Sequence, residues 1–228
     1  MGLSLSGDTH HIMGQYARTS EKLIGRRAFI SLVLAGLAAL FLGKEILPSL
    51  RLGTGGSTPS GSFRINSVAP APAFERSTWR LTLDGMFRKP MTLTYQDFLA
   101  LPQVERTRDF YCVEGWGVTG VTWRGVTVRT LMEQGDIDPR ATHLVFYSGD
   151  EVYDDSLTLE EALRDDTLLA HELNGGPLEA DMGLPLRLVL PDNYGYKYVK
   201  WVIRVEAIDE PFSGYWEDRG YPADGSIR

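Results

Sequence analysis

The reading of the fold turns on residues 111–126, Tyr111-Cys-Val-Glu-Gly-Trp-Gly-Val-Thr-Gly-Val-Thr-Trp-Arg-Gly-Val126. Residues 104–111 lead into this stretch as a strand, and residues 121–123 leave it in an extended pattern. Between them lies a loop holding Cys112, Gly115 and Gly117, and such glycines let backbone approach a ligand closely. The same residues spell Gly115-x-Gly117-x-x-Gly120, the spacing of a dinucleotide-binding loop. That loop requires a helix directly after the glycines, inside a βαβ unit. Extended residues follow here instead, so the dinucleotide reading is rejected. Cys112 remains as the chemical feature. A free cysteine ordinarily packs as a small hydrophobe. At the end of a strand and the start of a glycine-bearing loop, it can also give one soft ligand to a metal whose other ligands come from a cofactor.

The flanking sequence predicts an α+β domain, rich in β, with mixed sheets and short helices. Residues 79–84 alternate as a strand, and Thr94-Tyr-Gln-Asp97 is a capping box that opens a short helix. Residues 128–134 form a helix stopped by Gly135, and residues 144–147 form a buried strand. Thr158-x-x-Glu161 caps another short helix. Residues 168–173 form a strand, Asn174-Gly175 signals a hairpin turn, and residues 186–190 and 199–208 are strands. No internal repeat and no βαβ alternation is present. His171 lies in an apolar strand pattern and is expected to be a packed core residue. The acidic pairs Asp154-Asp155, Glu160-Glu161 and Asp165-Asp166 are expected on solvated faces.

The chain has 228 residues, 43% of them hydrophobic and 23% charged, with a net charge of −7. Its single cysteine excludes an internal disulfide, a cysteine-based zinc site, a CxxCH haem attachment and an iron–sulfur cluster. Two of its four histidines are His10 and His11. Serine-hydrolase and metalloprotease chemistry lack their motifs, G-x-S-x-G and H-E-x-x-H. Residues 1–44 carry a net +3, which leaves −10 on the other 184 residues. Acidity of that size argues against a nucleic-acid partner.

The N-terminal residues are a separate matter. Sixteen uncharged residues lie between Arg27 and Lys44. As a helix they would span about 24 Å, less than the roughly 30 Å hydrocarbon core. Gly25-Arg26-Arg27-Ala28-Phe29-Ile30 resembles a twin-arginine export signal. Residues 1–44 are therefore expected to be that signal or a membrane anchor. Residues 45–62 form a Gly/Ser-rich linker, and residues 63–228 form the folded domain. Export would place the domain in the periplasm or on the outer face of the cytoplasmic membrane.

The Cys112 loop and the following Val121-Thr-Trp123-x-Gly125-Val126 resemble the molybdenum-ligand loop of the sulfite oxidase-type molybdopterin oxidoreductases. The resemblance extends from about Phe63 to the C-terminus. It includes Ser148-Gly-Asp, Leu169-Ala-His-Glu-Leu-Asn-Gly-Gly-Pro-Leu, Gly183-Leu-Pro-Leu-Arg187 and Tyr194-Gly-Tyr-Lys197-Tyr-Val-Lys200-Trp201. It is similar above all to the exported bacterial branch related to the periplasmic methionine sulfoxide reductase catalytic subunit.

The resemblance implies a molybdenum-molybdopterin cofactor, with Cys112 as the single protein ligand to the metal. It places Asn66 close to the metal and Ser148 at the cofactor. Arg187, Lys197, Tyr198, Val199 and Lys200 fall at positions of cofactor contact, and cations there suit the cofactor's phosphate. Met182 departs from the Asn or His usual in relatives. The Cys loop also lacks the arginines that follow it in sulfite oxidases, which makes sulfite binding doubtful. The implied activity is two-electron oxygen-atom transfer on a small-molecule oxo substrate, with S- or N-oxide reduction preferred and sulfite-type oxidation as the alternative. A membrane haem subunit or a cytochrome would exchange the electrons, and a monomeric catalytic subunit is expected. The rival class is an exported binding module that keeps the fold without the cofactor.

Overall fold

A computed structural model describes residues 61–227, and residues 1–44 and nearly all of the linker lie outside them. Among the described residues no helix is long and apolar enough to cross a membrane.

Two five-stranded sheets make the framework. The first contains β1 (Arg80–Gly85), β2 (Met91–Thr94), β5 (His143–Ser148), β6 (Asp154–Thr158) and β10 (Val202–Ile208). Its order is β2-β1-β10-β5-β6. Every neighbouring pair is antiparallel except β1 with β10, which run parallel from Thr82 opposite Arg204 to Gly85 opposite Ala207. The second sheet contains β3 (Val104–Tyr111), β4 (Gly117–Thr127), β7 (Leu168–Leu173), β8 (Gly176–Pro177) and β9 (Arg187–Val189). Its order is β3-β4-β7-β8, with β9 also paired to β7.

Residue alternation explains the burial. In β1, Leu81 and Leu83 are fully buried while their neighbours are not, as a period of two requires. Strand β5 carries consecutive buried residues Leu144, Val145 and Phe146, the pattern of a strand covered on both faces. Side chains from both sheets, among them Leu81, Phe98, Trp123, Phe146, Leu169 and Leu188, join one core.

Among the described residues, three short α-helices fill the connections: α1 (Tyr95–Ala100), α2 (Val128–Gly135) and α3 (Leu159–Ala162). The expected capping boxes of α1 and α3 are both formed. Thr94 Oγ1 accepts from the Asp97 amide and Thr158 Oγ1 from the Glu161 amide, and each acid accepts in return from its cap residue's N–H. Helix α2 runs one residue past the sequence expectation. Gly135 is its last helical residue, and Asp136, at φ 52°, makes the left-handed cap. The Asn174-Gly175 turn joins β7 to β8, with φ of 50° and 82°. Both angles are the left-handed values that a tight hairpin needs.

Several expectations are corrected. The strand expected over 199–208 begins only at Val202. Before it, 195–197 form a single 3-10 turn and Trp201 takes a left-handed φ of 55°, which turns the chain out of any ladder. The strand expected over 186–190 is only three residues long. Strands β2 and β6 have no counterpart in the sequence reading. The solvated face expected for Asp154-Asp155 fails at Asp155, which is 1% exposed. His171 is buried as expected; its Nε2 shares a hydrogen bond with Gln103 Oε1, and its ring meets Phe98 edge-on.

Candidate active site

Strand β3 ends at Tyr111 and strand β4 begins at Gly117, so Cys112 starts the connection between two paired strands. The loop is held at its base. The Cys112 amide donates to Trp116 O at 2.8 Å, and the Gly115 amide donates to Cys112 O at 3.0 Å. Gly115 has φ +85°, a value that L side chains rarely adopt, so the glycine is needed to close the turn. Gly117–Gly120 are the first residues of the 11-residue strand β4, and no helix follows them directly, which bears out the rejection of the dinucleotide reading.

Cys112 opens on a cavity of about 420 Å³. Its walls come from the 63–68 segment, the Cys112 loop, the turn after β5, the 181–187 segment, the turn before β10 and the chain at 216–221. Asn66, Cys112, Ser148, Arg187, Tyr198 and Lys200, all singled out from sequence, line this one space.

Each of them is held in place by its neighbours. Asn66 Nδ2 donates to Glu114 Oε2 at 3.1 Å, and Asn66 O accepts from Lys200 Nζ at 2.9 Å. Lys200 also donates to Ser67 Oγ and to Asp181 O. Burial, with Arg187 nearby, pulls its ammonium down to about 8. Ser148 Oγ accepts from the Asp150 amide at 3.2 Å. Burial pushes the Cys112 thiol up and Arg64 pulls the other way, so a bound cation is what would hold it as a thiolate.

Arg187 is the most unusual group. It is 6% exposed, and burial lowers its pKa to about 10. A guanidinium keeps its charge even so. Its Nη1 donates to Met182 O, while its Nε is buried without a hydrogen-bond partner. Its guanidinium carbon lies 5.4–5.8 Å from the ring centres of Phe110, Trp123 and Tyr198. Rings of this kind attract a cation but do not neutralise it.

Two expected contact residues lie elsewhere. Lys197 is 1% exposed, is absent from the cavity wall and is committed to an ion-paired cluster. Its Nζ donates to Asp155 Oδ1, to Ser156 O at 3.0 Å and to Glu217 Oε1 at 2.8 Å. Val199 is fully buried, and its carbonyl accepts from the Leu188 amide at 2.8 Å. Met182 does stand in the wall. The sequence reading left out Glu114, Asp150 and Trp116. Glu114 and Trp116 sit inside the quoted Cys loop and Asp150 inside Ser148-Gly-Asp, but none of them carries a spacing of its own.

Residues 68–216 match the family described as the oxidoreductase molybdopterin binding domain. The chain belongs to the molybdopterin-binding oxidoreductases. Among the relatives of this oxidoreductase is the uncharacterized oxidoreductase YuiH of Bacillus subtilis, 32% identical over 72% of this chain and 83% of that protein. Another is the protein-methionine-sulfoxide reductase catalytic subunit of Gluconobacter oxydans, 32% identical over 68% of this chain. This chain spans only 55% of that protein's length. The crystal structure of the sulfane dehydrogenase SoxCD from Paracoccus pantotrophus has the same fold, with a TM-score of 0.58 and 26% identity over 61% of this chain and 40% of that one. The sheet-rich α+β fold is thus that of the molybdopterin oxidoreductases.

The cavity fits a molybdopterin cofactor by its own chemistry. Arg187 Nε and Asp150 Oδ2 are a buried donor and a buried acceptor on the wall, both unpartnered. Buried polar groups are ordinarily satisfied, so the pair suits a ligand that carries both an anionic end and N–H groups. Among the described residues no three His, Cys, Asp or Glu side chains converge to hold a metal ion. A metal beside Cys112 would take its remaining ligands from the cofactor.

Proposed function

We propose that this protein is an exported molybdenum enzyme that transfers an oxygen atom in a two-electron step, working physiologically as a reductase of S- or N-oxides. The observation that carries the direction is the rim of the cavity. Ile65 and Val113, 48% and 44% exposed, stand in the wall beside Cys112. Tyr111, 38% exposed, precedes Cys112, and Val152, 48% exposed, follows the wall residue Asp150. These four are the exposed large hydrophobic side chains of the described residues. Exposed apolar side chains in a cavity wall, as Ile65 and Val113 are, mark a binding surface. It suits an oxide flanked by carbon groups better than hydrated sulfite. The names of the sulfoxide-reductase relatives point the same way.

In this reading the cofactor, when bound, supplies the two-electron redox centre at which the oxygen is transferred. Cys112 gives that metal its one protein thiolate. Arg187, already desolvated, holds an anionic part of the cofactor by charge-assisted hydrogen bonding. Asp150 accepts from its N–H groups. Lys200 ties the 66–67 segment to Asp181 and so fixes one wall across from the thiol loop. Asn66 and Trp116 position the substrate over Cys112. Residues 1–44 serve as a twin-arginine signal or anchor, joined by the 45–62 linker to a catalytic domain over 63–228. Electrons come from a membrane haem subunit or a cytochrome, and the catalytic subunit works as a monomer.

The test is to express the full chain with its own N-terminus, purify it from the periplasm or membrane, and measure molybdenum. The holoprotein is then offered sulfoxides, N-oxides and sulfite. About one molybdenum per chain and turnover of an S- or N-oxide are expected. Less than a tenth of a molybdenum per chain would leave only the binding-module reading, and turnover confined to sulfite would reverse the direction.

A further inference from the structure

We infer that Glu114 sets the charge selectivity of the cavity mouth, disfavouring oxyanions and favouring neutral or cationic oxides; the inference rests on the oxide-reductase reading above. Glu114 lies two residues beyond Cys112, is exposed and lines the cavity. Its Oε2 accepts from Asn66 Nδ2 at 3.1 Å and from Trp116 Nε1 at 3.3 Å. Both donors are neutral, so they fix the carboxylate in place without cancelling its charge, and Arg64 is the cation that acts on it. The group is thus held by two side chains of the wall that Cys112 also lines.

The other charges of the wall sort by depth. Asp150 is half-buried, its Oδ1 accepting from the Val152 and Tyr153 amides and its Oδ2 facing inward as the buried acceptor described above. Asp181 is a second exposed carboxylate. Lys200 is half-buried, and its ammonium is committed to Asn66, Ser67 and Asp181. Arg187 is buried among rings. Arg64 is the exposed cation of the wall, and its guanidinium carbon lies 5.9 Å from the Trp116 ring centre. The mouth therefore presents two carboxylates and one guanidinium, and Glu114 is the carboxylate beside the reacting position. An anionic oxide must approach it, whereas a cationic one gains from it. A unit charge about 6 Å away at an effective dielectric of about 40 feels an interaction worth roughly tenfold in binding, or about 1.4 kcal/mol.

The test uses the molybdenum-loaded full chain and three methyl sulfoxides of matched size, bearing an ammonium, no charge and a carboxylate. The expected wild-type order of kcat/KM is ammonium above neutral above carboxylate, with at least tenfold between the extremes. E114Q keeps an oxygen acceptor for Asn66 and Trp116 but removes the charge, and should shrink that ratio to threefold or less. R64Q should widen it. Binding of inorganic sulfate, measured by calorimetry on the same proteins, should tighten about five- to tenfold in E114Q. In 0.5 M salt the wild-type ratio should shrink as well, because exposed charges are screened. An unchanged ratio and unchanged sulfate affinity in E114Q would overturn the inference. If the wild type turns over no oxide, the functional reading has failed and sulfate binding alone decides this one. Should E114Q fail to load molybdenum, the opposite shift in R64Q decides it.

Discussion

Lys197→Met should cost the folded domain about 3–5 kcal/mol while leaving the cavity wall intact. Lys197 and Asp155 each have about 1% of the side chain exposed and Glu217 has 6%, so all three groups have left water. Burial alone would lower the lysine, but Asp155 and Glu217 outweigh it and hold the ammonium above its ordinary range. Methionine fills a similar volume and leaves Glu217 buried without its cation, and breaking a buried pair in this way costs about 3–5 kcal/mol. For a domain of this size that is a fall in Tm of about 6–20 °C. Thermal and urea unfolding of the cofactor-free protein at pH 7, followed by circular dichroism, would read it. D155N, by contrast, should be nearly neutral or gain on wild type between pH 5 and 8. Burial, with Glu217 adding to it against Lys197, pushes Asp155 up to about 8. A raised carboxyl contributes stability that is complete below its unfolded pKa of about 3.9 and is lost as pH rises through 8. A K197M protein that unfolds like wild type yet cannot retain molybdenum would refute this reasoning and return Lys197 to the cofactor.

Three further outcomes are expected. Cys112→Ser should abolish molybdenum retention and turnover while shifting the cofactor-free Tm by less than about 3 °C, since a half-buried loop thiol loses little packing; an active C112S holoenzyme would remove the thiolate role. Arg187→Met should lower molybdenum content at least fivefold but change cofactor-free stability by less than about 1 kcal/mol, because the lost ring and carbonyl contacts are offset by removing a buried cation; retained cofactor, or a large loss of stability without it, would contradict the assignment. Burial lowers the His171 pKa, so its contribution is present above the unfolded value of about 6.5 and is lost as pH falls below it; H171Q should therefore flatten stability against pH between 7 and 5, and an unchanged slope in urea titrations would count against it.

Local chemistry made part of this molecule legible. The capping boxes at Thr94 and Thr158, the Asn174-Gly175 turn and the Cys112 loop each rest on neighbouring residues, and each is present. What escaped depends on partners far along the chain. Asp154 and Asp155 read as a solvated pair because nothing near them announces Lys197, 42 residues away. The 199–201 segment reads as a strand from its apolar residues, yet Trp201 Nε1 donates to Ala180 O and Lys200 reaches back to Asn66, contacts that hold the chain off the ladder. Resemblance placed Arg187 at the cofactor without saying why. What the structure adds is a desolvated cation with an unpartnered Nε.

The parallel pairing of β1 with β10 bears on when this domain can exist at all. The central strand of the first sheet comes from residues 202–208, while its neighbours begin at residues 80 and 143. Until that strand arrives, β2-β1 and β5-β6 are two separate hairpins, and isolated hairpins are marginal in water. The wall residues Tyr198, Lys200 and Trp216 also come from the last part of the chain. A ribosome making this protein must therefore release the chain through at least residue 208 before the sheet can close, and through residue 221 before the cavity can. Any cofactor must then be captured after that point, by a chain that completes its framework and its binding site together.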